Sequence, residues 1–272
     1  MSLQTNDTRY RLGFIGGGKL AGSVVRGLAR AGFCPAAEIL VSEPNDALRA
    51  ALRDEVGVAV TAENAQVAEK ATMILIGVKP GVVLEVVDGI AGVIEGKLVI
   101  SLAAGIRVTS MEAKARARFM RAMTNTPAAV CQAATALARG ARTTEEDLAR
   151  AREIFSAIGF VAEVKEEQID PVTALAGSGP AFVYTVIEAL AAGGANCGLP
   201  PEVSLGLATQ TVRGAAQLAL ESRLSPEELR RMVITSGGTT AAGLAEMEKR
   251  KTAAGLTAAV EAASARGREM GL

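Results

Sequence analysis

Apolar positions are arranged in two different ways along this 272-residue chain. Up to about residue 164, short apolar runs alternate with stretches whose apolar residues recur at helical spacing. The runs at 12–15, 39–41, 58–60, 73–76, 98–100 and 119–123 have the length and the bounding turns of strands. Two more strands are expected at 133–138 and 160–164, with a helix over 144–158 between them. Thr144 is the expected N-cap of that helix, ahead of Glu145 and Glu146 in a first turn that favours negative charge. Strand–helix alternation of this kind predicts βαβ units and a parallel sheet.

Beyond residue 164 the strand pattern stops. From Pro171 the chain is alanine-rich and helical. Helices are expected to begin at Pro200-Pro201, at Ser225-Pro-Glu-Glu228, near Thr240 and again toward Arg268. Ser225, Pro226 and Glu228 have the spacing of a capping box with proline at the first helical position. The reading divides the chain into a polar tail (1–10), an α/β domain (11–164) and a helical domain (165–272). Small residues let helices approach closely but bury little area each, so the helical half is expected to complete its core by dimerising.

Between the first strand and the first helix lies Gly16-x-Gly18-x-x-Ala21. Gly16 lets the chain turn off the strand, Gly18 leaves the backbone open to a pyrophosphate, and Ala21 lets the helix pack close to the sheet. The amides that begin the helix, Lys19 and Leu20 among them, then face a ligand's phosphates. The context fits: Leu12, Phe14 and Ile15 precede the turn, Leu20, Val24 and Leu28 follow at helical spacing, and Gly32 is a stop signal. Glu43 ends the second strand about 20 residues on, where a carboxylate accepts from an adenosine ribose hydroxyl. The fold class is therefore α/β: an N-terminal doubly wound Rossmann domain plus a C-terminal all-α dimerisation domain.

Composition narrows the chemistry. Lys plus Arg and Asp plus Glu each number 29, a balance that argues against nucleic acid, and only 3% of residues are aromatic. Histidine is absent, which removes Ser-His-Asp and Cys-His nucleophiles and imidazole-dependent zinc sites. Cys34, Cys131 and Cys197 are scattered and odd in number, which suits a reducing cytoplasm. The N-terminus lacks the apolar stretch of a signal peptide. The uncharged run 172–187 contains two glycines and a proline and is expected to be a buried helix, not a membrane span.

Three loops follow strands where a doubly wound sheet keeps its ligands: Gly77-Val-Lys-Pro80, Ser101-Leu-Ala-Ala-Gly105 and Met123-Thr-Asn-Thr-Pro127. In the helical half, Gly177-Ser-Gly-Pro180 and Gly237-Gly-Thr-Thr240 each precede a helix, and the second has the form of a carboxylate site or of an ordinary capped turn.

Five of these segments, in this order, closely resemble the signatures of pyrroline-5-carboxylate reductase: Ile15-Gly-Gly-Gly18, Val78-Lys-Pro80, Arg121-Ala-Met-Thr-Asn-Thr-Pro127, Ala174-Leu-Ala-Gly-Ser-Gly-Pro-Ala-Phe182 and Met232-Val-Ile-Thr-Ser-Gly-Gly-Thr-Thr240. The resemblance runs from about residue 11 onward. It implies hydride transfer from NADPH or NADH to L-1-pyrroline-5-carboxylate, giving L-proline. It places Val78, Lys79, Pro80, Ala103, Gly105 and Asn125 against the cofactor and Asn64 near its adenosine end. It makes Thr173 the proton donor toward the ring nitrogen. Gly237, Gly238, Thr239 and Thr240 would hold the substrate carboxylate, with Ser178 and Thr235 beside it. It also implies a homodimer interlocked through the helices, and a ring of five dimers.

The residue types fit that chemistry. A protonated imine is already electrophilic, so orientation does most of the work and histidine is not required. Departures fall at Ser236, where many members have proline, at Ile234, at Ala192 and at Lys19, which favours a cofactor phosphate. Cofactor choice is open: Glu43 favours NADH, whereas Ser42 is a donor to the extra phosphate of NADPH. Two alternatives stand beside this reading. A β-hydroxyacid dehydrogenase needs a catalytic lysine on the helix after Gly179, which this chain lacks. A dinucleotide-sensing protein would bind cofactor without turnover.

Overall fold

The computed structural model describes residues 10–270. Of the tail expected over 1–10, only Tyr10 lies within them, and it opens the first strand. Among the described residues, β1 (Tyr10–Ile15), β2 (Ile39–Ser42), β3 (Ala59–Thr61), β4 (Ala71–Ile76), β5 (Leu98–Ser101), β6 (Arg118–Met123), β7 (Ala133–Arg139) and β8 (Gly159–Glu163) form one sheet. Its order is β3-β2-β1-β4-β5-β6-β7-β8. Every neighbouring pair is parallel except β6 and β7, which run antiparallel with Met123 opposite Ala136.

Helices α1 (Lys19–Arg30), α2 (Asp46–Val56), α3 (Asn64–Lys70), α4 (Val83–Ile90), α5 (Val108–Glu112) and α6 (Glu145–Ser156) connect these strands. A parallel sheet must be covered on both faces, and the strands accordingly alternate between two cores. Leu12, Phe14, Leu75 and Ile100 pack with α1 and α6, whereas Ile15, Ile74, Ile76 and Val99 pack with α3, α4 and α5. The predicted caps form. Thr144 Oγ1 accepts from Asp147 N at 3.2 Å while Asp147 Oδ2 accepts from Thr144 N at 3.0 Å. Ser225 and Glu228 close the corresponding box on the helix that begins at Pro226.

After β8 the chain continues as α7 (Ile169–Val172), a π-helical turn (Thr173–Gly177), α8 (Gly179–Asn196), α9 (Pro201–Glu221), α10 (Pro226–Met232), α11 (Thr239–Lys249) and α12 (Thr252–Met270). Two compact units result. One runs to Ser178 and is taken up again from Ala263; the other is Gly179–Ala262. The first unit includes α7 and the π turn, which pack on the sheet's own residues: Ile169 shares a cluster with Met123 and Ala138.

In the second unit α8 and α9 pack on each other, with Ser204 Oγ donating to Ala191 O at 2.6 Å. The burial expected for 172–187 is not found within one chain. No residue of α8 is buried, and Leu205, Leu207, Leu218 and Leu220 of α9 are all at least half exposed. Within the continuous helical stretch Glu166–Asn196 an 18-residue window reaches a mean hydropathy of 1.3, enough by length and composition alone to cross a membrane. Its first turns pack on the sheet through Ile169 and Ala174, whereas Val183, Tyr184 and Leu190 of α8 stay exposed although α8 packs on α9.

Candidate active site

Strand order decides where a ligand can lie. β1 is flanked by β2 and β4, so the connections leaving β1 turn to opposite sides and open a crevice at its C-terminal end. Gly16 stands there with φ +94°, a conformation that disfavours any side chain, and its amide donates to Ser42 O at 2.8 Å. The loop after β4 closes on the same point. Gly77 N donates to Ile15 O at 2.8 Å, and a Cβ on Gly77 would lie 2.5 Å from that of Ala21. The two loops can therefore approach only because Gly77 has no side chain and Ala21 a minimal one.

Gly18 is the N-cap of α1. A Cβ there would meet nothing within 4 Å, and no side chain caps the helix. The first amides of α1 thus face open space, the cradle that a pyrophosphate fits. Lys19 is exposed in the first turn and Leu20 half-buried behind it, while Ala21 is fully buried.

Glu43 lies against this loop, 8% exposed. Its Oε2 accepts from Gly17 N at 2.9 Å and its Oε1 from Asn45 N at 3.0 Å. The carboxylate therefore braces the glycine turn. Arg49, which the sequence reading overlooked, donates to the Glu43 and Pro44 carbonyls and brings a positive charge to the same corner. Ser42 is fully buried and donates to Asn64 Oδ1 at 2.8 Å. Its hydroxyl thus holds Asn64 at the start of α3.

The other three loops leave the same edge of the sheet. Val78 and Pro80 are half-buried and Lys79 is exposed. Leu102 N donates to Ile76 O at 2.8 Å, which docks the next loop; in it Ala103 is buried and Gly105 half-buried. Asn125 is 7% exposed, and both ends of its amide are bonded: Nδ2 donates to Ala176 O at 3.1 Å and Oδ1 accepts from Ala134 N at 3.1 Å. It ties the loop after β6 to the π-helical turn. Thr173, half-buried at the head of that turn, donates from Oγ1 to Ile169 O at 2.8 Å. Ser178 N donates to Thr173 O at 2.8 Å and ends the turn.

The carboxylate-type turn belongs to the second unit. Gly237 has φ +71°, a conformation that favours glycine, and a Cβ on Gly238 would lie 2.2 Å from Thr235 Oγ1 and displace that hydroxyl. Gly238 caps α11 with no side chain on its amides; Thr239 begins the helix, exposed, and Thr240 is half-buried behind it. An uncapped helix N-terminus flanked by hydroxyls is suited to a carboxylate.

Comparison with known proteins agrees with this geometry. Residues 166–270 match the family model for pyrroline-5-carboxylate reductase dimerisation, and 11–105 that for coenzyme F420-dependent NADP oxidoreductase. The pyrroline-5-carboxylate reductase of Pisum sativum is 41% identical over 263 residues, 96% of each chain. The structure of the Coxiella burnetii pyrroline-5-carboxylate reductase is 33% identical, with a TM-score of 0.88 over 97% of this chain and 99% of that one. The Plasmodium falciparum pyrroline carboxylate reductase, whose crystal structure has NADP bound, is 27% identical with a TM-score of 0.88 over the same shares. Sharing two-fifths of its residues with the pea enzyme across nearly the whole of both, this chain belongs to the pyrroline-5-carboxylate reductase family.

Proposed function

We propose that the protein reduces L-1-pyrroline-5-carboxylate to L-proline, the last step of proline biosynthesis, with NADPH or NADH as reductant. The observation that carries this reading is the open, uncapped start of α1 at Gly18, in a chain that belongs to this family. When bound, the reduced nicotinamide supplies the hydride for the imine carbon, and the ring nitrogen holds the proton.

The chain's own residues do the rest. Amides at Gly18 to Ala21 hold the pyrophosphate, and Glu43, Arg49 and Asn64 line the adenosine end. The loops bearing Val78, Lys79, Pro80, Ala103 and Gly105 fix the nicotinamide half, with Asn125 holding the loop after β6 in place. Gly237, Gly238, Thr239 and Thr240, with Thr235 in the same turn, grip the substrate's carboxylate and so select the face of the ring that is attacked; Ser178 is a further substrate-binding hydroxyl. Thr173 is the hydroxyl available to the ring nitrogen. It serves as donor by turning from the Ile169 carbonyl that it bonds in this structure.

The unpartnered apolar surface of α8 and α9, within the segment that matches the dimerisation model, supports a homodimer built through the helical half. A ring of five such dimers rests on the family resemblance alone. A cytoplasmic location is supported by three unpaired cysteines. The test is the loss of nicotinamide absorbance with pyrroline-5-carboxylate, run with each cofactor and with product proline quantified. Dinucleotide binding without proline formation would favour the sensing alternative and overturn the enzyme.

A further inference from the structure

Glu166 lies ahead of α7, outside all the loops assigned above. Its Oε1 accepts from Val108 N at 2.6 Å and stands 3.4 Å from Arg121 Nη1. Val108 begins α5, directly after the loop that carries Ala103 and Gly105. Arg121 lies on β6, which runs into Thr124 and Asn125. Glu166 itself leads through α7 to Thr173. One carboxylate oxygen thus joins the three segments that the proposed reaction needs in register.

The Arg121 side chain is only 4% exposed. Burial pulls its pKa down and the Arg107 charge adds to this; the Glu166 charge and hydrogen bond, with the Asp170 charge, oppose it. Its Nε and Nη2 are buried without a hydrogen-bond partner, so Glu166 is the acceptor on which this cation depends. A buried charge that loses its counter-ion is forced to move or to draw in water. There is room to move. A cavity of about 650 Å³ adjoins the pair, and Gly105, Arg121, Glu166 and Asp170 are in its wall. Packing on that side therefore does not hold the loops by itself.

We infer that Glu166 is a positioning residue for the reduction: through Val108 and Arg121 it sets the Ala103–Gly105 loop, the Asn125 loop and the Thr173 turn relative to one another. This rests on the proposed roles of those residues. Glu166→Gln keeps the size and an acceptor for Val108 but removes the charge facing Arg121, whereas Glu166→Ala removes both. NADPH affinity, followed by nucleotide fluorescence, is expected to fall about ten-fold in Glu166→Ala, and kcat by about ten-fold or more with a smaller change in KM for the imine. Glu166→Gln is expected to fall between the two, a partial rescue.

Asp147→Asn is the comparison. It breaks the buried pair with Arg118 at the opposite end of β6, and should lower the melting temperature while leaving kcat and nucleotide affinity unchanged. If both Glu166 variants behave like Asp147→Asn, the inference is overturned; if Glu166→Ala does not fold, Glu166→Gln decides alone. A wild-type protein that binds NADPH but forms no proline would sink the proposed reaction, and the nucleotide titrations would still decide the role of Glu166.

Discussion

Replacing Gly77 by alanine adds a single methyl group, and the structure says where it goes. The new carbon would lie 2.5 Å from Ala21 Cβ. Carbon atoms prefer a separation of about 3.5–4.0 Å, so one of the two backbones must retreat by roughly 1 Å. Ala21 is fully buried on α1 and cannot swing aside. Gly77 lies outside the left-handed region, so alanine carries no backbone strain there, and the loss of unfolded-chain entropy works in its favour by about 0.4–1 kcal/mol. Overpacking of this kind costs about 1–3 kcal/mol, which leaves a net destabilisation of about 1–2 kcal/mol and a fall of several degrees in Tm.

The functional effect of Gly77→Ala should be larger than the stability effect. The retreat separates the start of α1 from the loop bearing Val78 and Lys79, and so separates the pyrophosphate cradle from the proposed nicotinamide wall. NADPH and NADH affinities should both fall by about ten-fold or more. Adding Ala21→Gly removes the other methyl group at a helix cost of about 1 kcal/mol, and should recover most of the binding. Calorimetric melts and nucleotide fluorescence on the two single variants and the double read this directly. Unchanged binding in Gly77→Ala, or no recovery in the double variant, would refute the steric argument.

Thr240→Ala should raise KM for the imine by about ten-fold, the worth of one hydrogen bond to a charged group, with little change in KM for either nucleotide; equal effects on both would remove it from the carboxylate site. Glu43→Ser should raise the ratio of NADPH to NADH efficiency by about ten-fold, since a carboxylate beside the ribose opposes a second phosphate; an unchanged ratio confines Glu43 to bracing Gly17. For Asp147, burial pushes the carboxyl up, but Arg118 and the Thr144 amide and hydroxyl together hold it below its ordinary 3.8. Its stabilisation is therefore present above that value and lost as the pH falls through the lower folded one. Asp147→Asn should cost about 2–4 kcal/mol at neutral pH and show less of the wild-type's loss of Tm in acid.

The sheet was largely legible because buried parallel strands announce themselves as short apolar runs. All eight predicted runs are strands, displaced by at most a residue or two at their ends. Caps were legible for the same local reason, since Thr144 and Ser225 bond within their own first turns. What the sequence hid is long-range. The antiparallel turn of β7 on β6 had only a weak local cue, a connection from Met123 to Ala133 too short for a parallel crossover. The bond from Ser42 to Asn64 spans 22 residues and that from Asn125 to Ala176 spans 51, and neither partner could be read from the chain. The Arg121–Glu166 contact spans 45 residues. Its one sequence trace is an arginine set inside an apolar strand, where a charge must find a distant partner. The helical half misled in the opposite direction: its apolar run was real, but burial within one chain did not follow.

The way α12 crosses between the two units has a consequence for how the protein is made. The wall of the cavity beside Arg121 includes Ala265, Arg268 and Glu269, which pack with the N-terminal unit although they are translated long after its strands. A nascent chain carrying all eight strands would therefore still lack one side of that cavity. The segment that supplies it follows Gly179–Ala262 in sequence, so the first unit is the last to be complete as the chain is made.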